Sequence, residues 1–235
     1  MRFMVMHKVD AKMEAGELPS KDFIAKMGTF IHGYAQRGAL LDGAGLHRSA
    51  ARARVTFSSG APAIVRGPYD GSNELLAQFA LIHTTSLEQA IALATELGKA
   101  AGGREIEVGP VVETWDLHDG KRPADAPHRF LLLVKADAAS EAGSPPPAAV
   151  TALLEQWKRD GVLQSSTVLK PSKTAKRTKV VDGKRQWFDG PFTESKELIA
   201  GFAILELPSV EEAQKMTEDY VALLGDNECD IRELA

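Results

Sequence analysis

Residues 38–108 re-align on residues 161–231 at a constant offset of 123 positions without a gap, and 19 of the 71 aligned pairs are identical. The identities include Gly67-Pro68 with Gly190-Pro191, and Leu75 with Leu198. A repeat of this length describes two related domains or one pseudo-symmetric unit, and it excludes a short-period solenoid. With 235 residues, the chain then divides into a first domain over 1–113, a linker over 114–128 and a second domain over 129–235.

Composition narrows the function classes. A net charge of -4 gives no global attraction to nucleic acid or anionic lipid. The single cysteine, Cys229, aligns with the apolar Ile106 and reads as a packed strand residue. The first residues, Met1–Val9, stay apolar only briefly before Asp10 and Lys12, and no stretch approaches the ~20 apolar residues that span a bilayer. The expectation is a cytoplasmic protein without membrane association.

Helical spacing places Phe23, Met27, Phe30, Ile31 and Tyr34 on one stripe in the first copy, and Val150, Leu153, Leu154 and Trp157 on one in the second. Ser144-Pro145 suits a helix start, while Gly38 and Gly161 stand where a left-handed residue ends each helix. Second helices open at Ser86 with Gln89 and at Ser209 with Glu212, a capping pattern, and run to about Ala101 and Leu224. Between the helices lie β-rich stretches, Arg54–Phe57 with Ala63–Val65 and Thr178–Val181 with Gln186–Phe188, turning at Ser59-Gly60 and Asp182-Gly183. Further strands are expected at Phe3–Val9, Ala77–His83 and Glu105–Val112, and in the second copy at Phe130–Lys135, Ala200–Leu207 and Glu228–Leu234.

Each half therefore reads β-α-β-β-β-α-β, an α+β ferredoxin-like plait carrying an extra hairpin. Helices cover one face of such a sheet. The other faces, populated by Phe79 and Leu81 and by Phe202 and Ile204, are expected to pack together as an intrachain pseudo-dimer of the dimeric α/β-barrel type, leaving sheet edges that would allow a monomer or a homodimer.

The second copy contains Asp189-Gly190-Pro191-Phe192-Thr193-Glu194-Ser195-Lys196-Glu197-Leu198 after Trp187-Phe188. With the duplicated plait around it, this run resembles the YCII-related family, in the branch named for its Asp-Gly-Pro-Phe motif, one family domain per half. The resemblance implies small bacterial α/β domains that pair through their sheets. It implies a biochemical role that is largely unassigned, with enzymatic activity suggested and some members linked to transcription factors. The first copy departs from it with Arg66-Gly67-Pro68-Tyr69, so only the second keeps the motif acid. A histidine in the first helix paired with an aspartate, ascribed to simpler members of the wider family, has no counterpart at Lys26 or Ala149.

Asp-Gly-Pro is also a turn former, so Asp189 reads either as a structural cap or as a general base. Glu197 reads as a second acid or as the partner of a lysine. The doubled Lys8 and Lys135 read either as solvated strand ends or as cations that hold an anionic ligand, Lys196 is a further candidate for that ligand, and Trp157 and Phe192 are candidates for shaping its pocket. His83 and Glu206 share one repeat position and read either as exposed strand ends or, where the two sheets meet, as a histidine and a carboxylate that approach across the interface to hold a ligand. His7, in phase with Phe3 and Val5, reads as a buried, hydrogen-bonded residue. The basic run Lys170, Lys173, Lys176, Arg177, Lys179, Lys184 and Arg185 reads as a solvated hairpin that deters edge pairing rather than a nucleic-acid surface. No metal-ligand spacing, phosphate loop or dinucleotide fingerprint is present, so no cofactor is expected. The reading is a small polar or anionic ligand in a cleft at the pseudo-dimer interface, with catalysis left open; the rival is a non-catalytic regulatory or protein-interaction module, linked to transcription control.

Overall fold

The computed structural model describes residues 1–235 except 59–60, 118–120, 124–125 and 226. The first half runs β1 (Arg2–Lys8), α1 (Ala11–Ala15), α2 (Lys21–Gln36), β2 (Leu40–Gly45), β3 (Ala53–Ser58), β4 (Ala61–Arg66), β5 (Leu76–Thr84), α3 (Leu87–Ala100) and β6 (Ile106–Pro110). After α4 (Thr114–Leu117), the second half repeats the order as β7 (His128–Lys135), α5 (Ala138–Glu141), α6 (Ala148–Arg159), β8 (Leu163–Val168), β9 (Lys176–Val181), β10 (Lys184–Asp189), β11 (Ile199–Glu206), α7 (Val210–Leu224) and β12 (Cys229–Glu233). No helix is long and apolar enough to cross a membrane among the described residues.

Each half thus holds one strand more than its sequence pattern announces, β2 and β8. Their sequences, Leu-Leu-Asp-Gly-Ala-Gly and Leu-Gln-Ser-Ser-Thr-Val, lack both clean alternation and a β-branched run. They form because each completes an edge, β2 beside β11 and β8 beside β5. The helix signals are read more accurately. Ser86 and Ser209 cap α3 and α7, accepting from the N–H groups of Gln89 at 3.2 Å and Glu212 at 3.4 Å. Gly38 and Gly161 take φ of 68° and 72° just past α2 and α6. The start expected at Ser144 shifts to Ala148, because Pro147 supplies the N-cap position with no side-chain hydrogen bond. At the second hairpin Asp182 and Gly183 both take positive φ, as a tight hairpin requires. The turn expected at Ser59-Gly60 lies outside the described residues.

Two six-stranded antiparallel sheets result, in the orders β10-β9-β12-β1-β11-β2 and β4-β3-β6-β7-β5-β8. The expectation that each half closes its own sheet is corrected by these orders. The first sheet takes β1 and β2 from the first half and β9–β12 from the second; the second sheet takes β3–β6 from the first and β7 and β8 from the second. Within each sheet a split β-α-β from one half interlocks with that of the other: β12-β1-β11-β2 carries α2 and α7, and β6-β7-β5-β8 carries α3 and α6. The exchange happens after β2 and β8, where the chain crosses between the sheets. Leu46 bridges to Val111 of the second sheet while its N–H donates to the Ala200 carbonyl of the first at 2.7 Å, and Leu169 bridges to Leu234. Because the exchange is reciprocal, equivalent residues of the two copies keep equivalent surroundings, so the repeat carries no trace of it.

Three apolar clusters hold the molecule. Val150, Leu154 and Trp157 of α6 join Ala90, Ala94 and Leu97 of α3 on one sheet. Phe3, Val5 and Leu205 meet Met216 and Ala213 of α7 on the other, with Phe30 and Tyr34 of α2 at the margin. The third cluster draws on both sheets, Met4, Met6, Phe202 and Ile204 from one and Phe79, Leu81, Leu131 and Leu133 from the other. Phe79 and Phe202 sit with centroids 6.4 Å apart in this layer, and each fully buried Leu or Phe there contributes about 1.5–3 kcal/mol.

Candidate functional site

The repeated Gly-Pro-aromatic runs build two matching loops. A Cβ on Gly67 would lie 1.8 Å from the Ser49 carbonyl oxygen, and one on Gly190 would lie 1.7 Å from that of Ser172, so only glycine fits either position. Ser49 and Ser172 are fully buried. Glu14 accepts from the N–H and hydroxyl of Ser49, and Glu141 does the same for Ser172. The serine hydroxyls in turn accept the N–H of Tyr69 at 3.4 Å and of Phe192 at 3.1 Å. Both Gly-Pro bonds are cis.

Each aromatic ring then lies against an arginine, Arg54 over Tyr69 at 4.2 Å and Arg177 over Phe192 at 4.3 Å. These arginines open two buried ionic clusters. In one, Arg54 bonds Glu74 at 2.6 Å and Glu107 at 3.1 Å, and Lys135 reaches Glu74 and, at 3.6 Å, Glu107. In the other, Arg177 bonds Asp230 at 2.6 Å, Lys8 pairs with Asp230 at 3.1 Å, and Lys8 donates to the Ser195 hydroxyl at 2.8 Å. In each cluster the lysine comes from the half opposite to the arginine and acid, a direct product of the exchanged strands.

Burial alone would raise the pKa of Glu107, but Lys135, Arg52 and Arg54 outweigh it and hold it down at about 2. Asp230 is lowered in the same way, Lys8 and Arg177 overcoming burial. Arg54, Glu107 and Asp230 were not singled out by sequence reasoning. The available signal was the offset itself, since Arg54 matches Arg177, Glu105 matches Glu228 and Glu107 matches Asp230.

The two copies differ at one equivalent carboxylate. Glu74 is drawn inside at 1% exposure, whereas Glu197 is exposed and its inward place is taken by Ser195. Glu197 lines an open cleft of about 470 Å³ where the two motif loops meet, together with Asp10, Glu14, Tyr69 and Asp70. Contact between the loops is close: the Glu74 N–H donates to the Ser195 carbonyl at 2.7 Å, and a Cβ on Gly71 would lie 1.7 Å from the Lys196 carbonyl oxygen. Asp10 caps α1 and Glu14 holds Ser49. Among the described residues no ion pair engages Asp10, Asp70 or Glu197.

The other residues expected at a site are dispersed. Asp189 projects into solvent, its side chain 76% exposed, and pairs with Lys176 at 2.7 Å. Lys196 is exposed and pairs with Glu194 at 3.3 Å. Trp157 is 3% exposed inside the helix-packed core and does not line the cleft between the motif loops. His83 Nε2 donates to the Gln164 Oε1 at 2.8 Å, and the Gln164 amide donates to Asp42 at 3.2 Å, so the residue reached across the sheets from His83 is Asp42, while Glu206 ends β11 exposed. His7 is buried, hydrogen-bonded through Nδ1 to the Tyr220 hydroxyl at 2.8 Å, and burial lowers its pKa to about 4. Cys229 is buried too, its thiol pushed up to about 12 by burial.

Much of the basic run is neutralised: Lys170 pairs with Glu233 at 2.5 Å, Arg177 with Asp230, and Arg185 donates to the carbonyls of Gly225 and Asn227. Among the described residues no group of three His, Cys, Asp or Glu side chains is placed to hold a metal ion.

No curated protein and no solved structure matches the chain. Residues 129–222, which run from β7 to within α7 and so contribute strands to both sheets, match the YCII-related domain, a ferredoxin-like family of unassigned function.

Proposed function

We propose that the chain is a tandem duplication of the Asp-Gly-Pro-Phe branch, an intrachain pseudo-dimer that binds a small cationic molecule in the cleft between its two motif loops. The observation that carries this reading is the set of carboxylates from three separate segments, Asp10, Asp70 and Glu197, around one open cleft without a cationic partner among the described residues. Like charges gathered at one surface repel, and an ammonium or guanidinium ligand relieves that repulsion. The arrangement of charges points away from an anionic ligand here, since Lys8 and Lys135 are buried in ion pairs. The copies supporting the duplication are 1–113 and 129–235, joined by 114–128.

In this reading the protein binds rather than catalyses, because Asp189 and Glu197 stand on opposite ends of the motif in unlike settings, one paired with Lys176 and one facing the cleft. Titration calorimetry with agmatine and spermidine tests it. Saturable binding that weakens about tenfold in Glu197→Gln supports the cleft, whereas equal binding by Glu197→Gln and the parent chain rejects it.

A further inference from the structure

The two sheets end in outer strands of opposite character. β4 closes the second sheet beside β3, and all six of its residues, Ala-Pro-Ala-Ile-Val-Arg, are exposed, Ile64 at 42% and Val65 at 44%. The matching edge of the first sheet, β10, reads Lys-Arg-Gln-Trp-Phe-Asp. There Arg185 donates to the Gly225 and Asn227 carbonyls, and the Trp187 Nε1 donates to Glu218 at 2.9 Å. Charged side chains on an edge deter pairing with another strand. β4 carries a single charge, Arg66, which Glu88 holds at 2.6 Å.

The backbone of β4 is arranged for pairing outward. The Gly67 N–H donates to the Arg52 carbonyl at 3.1 Å, and hydrogen-bonded and non-hydrogen-bonded pairs alternate along an antiparallel ladder. Val65 with Arg54 and Ala63 with Thr56 are then the hydrogen-bonded pairs, while Arg66 with Ala53, Ile64 with Val55 and Pro62 with Phe57 are the others. Ile64 and Arg66 therefore turn both N–H and C=O away from β3, and Pro62 turns its carbonyl the same way. Proline stands where its missing N–H costs the ladder to β3 nothing.

A second copy of the chain complements this edge. Two β4 strands related by a two-fold axis at Ile64 set Ile64 opposite Ile64 and Arg66 opposite Pro62. Each Ile64 N–H then meets the other Ile64 carbonyl, and each Arg66 N–H meets the other Pro62 carbonyl. Moving the axis to Val65 would turn the Pro62 carbonyl toward Pro68, which has no N–H to give. With the axis at Ile64, the two Arg66 side chains stand about 13 Å apart along the ladder, beyond the ~8 Å screening length at physiological salt, so no like charges oppose the contact. The pairing consumes the edge of both copies and closes at two.

We propose that the protein forms a homodimer in which β4 of each copy pairs antiparallel about Ile64, joining the two second sheets into one. The edge shares no residue with the lining of the acidic cleft. The contact is smaller than a standard interface of about 1,200–2,000 Å², so dissociation on the order of 10 µM is expected. Sedimentation equilibrium of the full chain, from about 1 to 300 µM, tests it, and the mass is expected to double across that range. Ile64→Lys and Ile64→Glu each set like charges face to face and are expected to weaken dimerisation about tenfold or more. An equimolar mixture of the two variants is expected to regain it, because position 64 meets itself. Gln186→Lys, at the repeat position of Ala63 on β10, and Glu197→Gln in the cleft are expected to leave it unchanged. Ile64 is exposed, so its variants are expected to fold, and an unchanged melting temperature at monomeric dilution verifies it. If either fails that check, lysine and glutamate double variants at Ala63 and Val65, which face each other in the same register, take their place with the same outcomes expected. A chain that stays monomeric throughout overturns the proposal. So does a dimer that the folded variants leave intact, or a mixture that regains nothing.

Discussion

Lys8 and Asp230, on the first and last strands of the chain, form a 3.1 Å ion pair with side chains only 2% and 5% exposed. The pair ties the two halves together at the point where their strands are exchanged, and Lys135 with Glu107 does the same on the other sheet. Removing one partner of a buried pair strands the other charge, a loss of about 3–5 kcal/mol, whereas exchanging both for apolar residues is often neutral. Asp230 keeps its pair with Arg177 at 2.6 Å, so Lys8→Met is expected to lower unfolding stability by less than that, about 1–3 kcal/mol, and adding Asp230→Leu, which leaves Arg177 only Glu228 at 3.2 Å, to lower it further. Urea titrations of the two variants read this out; a Lys8→Met variant as stable as the parent would show that the pair contributes nothing.

Within the motif, Gly190 and Asp189 are neighbours with opposite sensitivities. A Cβ at Gly190 meets the Ser172 backbone at 1.7 Å, where no side chain can move aside. Gly190→Ala is expected to destabilise by more than about 4 kcal/mol, in the range of backbone and overpacking failures. Asp189→Asn loses only an exposed ion pair and is expected to change stability by less than about 0.5 kcal/mol. Thermal melts of both variants check the contrast, and a severe Asp189→Asn defect would assign the motif acid a structural load that its exposure does not suggest.

His7 gives the fold a pH dependence. Its pKa falls from 6.5 to about 4 on folding, because burial disfavours the imidazolium. Below 6.5 the unfolded chain takes up a proton that the folded chain refuses, so stability is full above 6.5 and declines as pH drops toward 4. The shift corresponds to about 3 kcal/mol at most. In His7→Gln, urea midpoints between pH 7 and 4 are expected to flatten relative to the parent; parallel curves would remove His7 as the cause.

The repeated element order was legible because packing constrains equivalent positions of the two halves alike: Phe79 and Phe202, Gly67 and Gly190, Ser86 and Ser209 perform the same task twice. The exchange was not, since Lys8 meets Asp230 just as Lys135 meets Glu107, and a reciprocal swap leaves each position's chemistry intact. Strands β2 and β8 stayed hidden because their Gly, Ser and Gln residues suit an edge rather than a core. At the site, the doubling of Lys8 and Lys135 marked them as special, but their role is internal pairing. Glu197 was visible through the motif, whereas Asp10 and Asp70 reach the cleft only through the tertiary fold.

Glu74 and Glu197 occupy one repeat position and are expected to answer the same substitution differently. Glu74 neutralises Lys135 and Arg54 at 1% exposure and also accepts the Ser72 N–H at 3.0 Å. Glu74→Gln leaves Lys135 and Arg54 with Glu107, which Arg52 already engages at 2.9 Å, and Arg54 with a more distant Glu105 at 3.8 Å, and is expected to destabilise by about 3 kcal/mol or more. Glu197 is exposed beside other carboxylates, so Glu197→Gln removes repulsion and is expected to hold or slightly raise stability. Chemical denaturation of the two variants, run at low and at high salt, separates the cases: the Glu74→Gln loss persists in salt because the charges are buried, while any Glu197→Gln gain fades with screening. Equal effects from the two substitutions would mean that the copies have not diverged at this position, and would remove Glu197 from the cleft's charge.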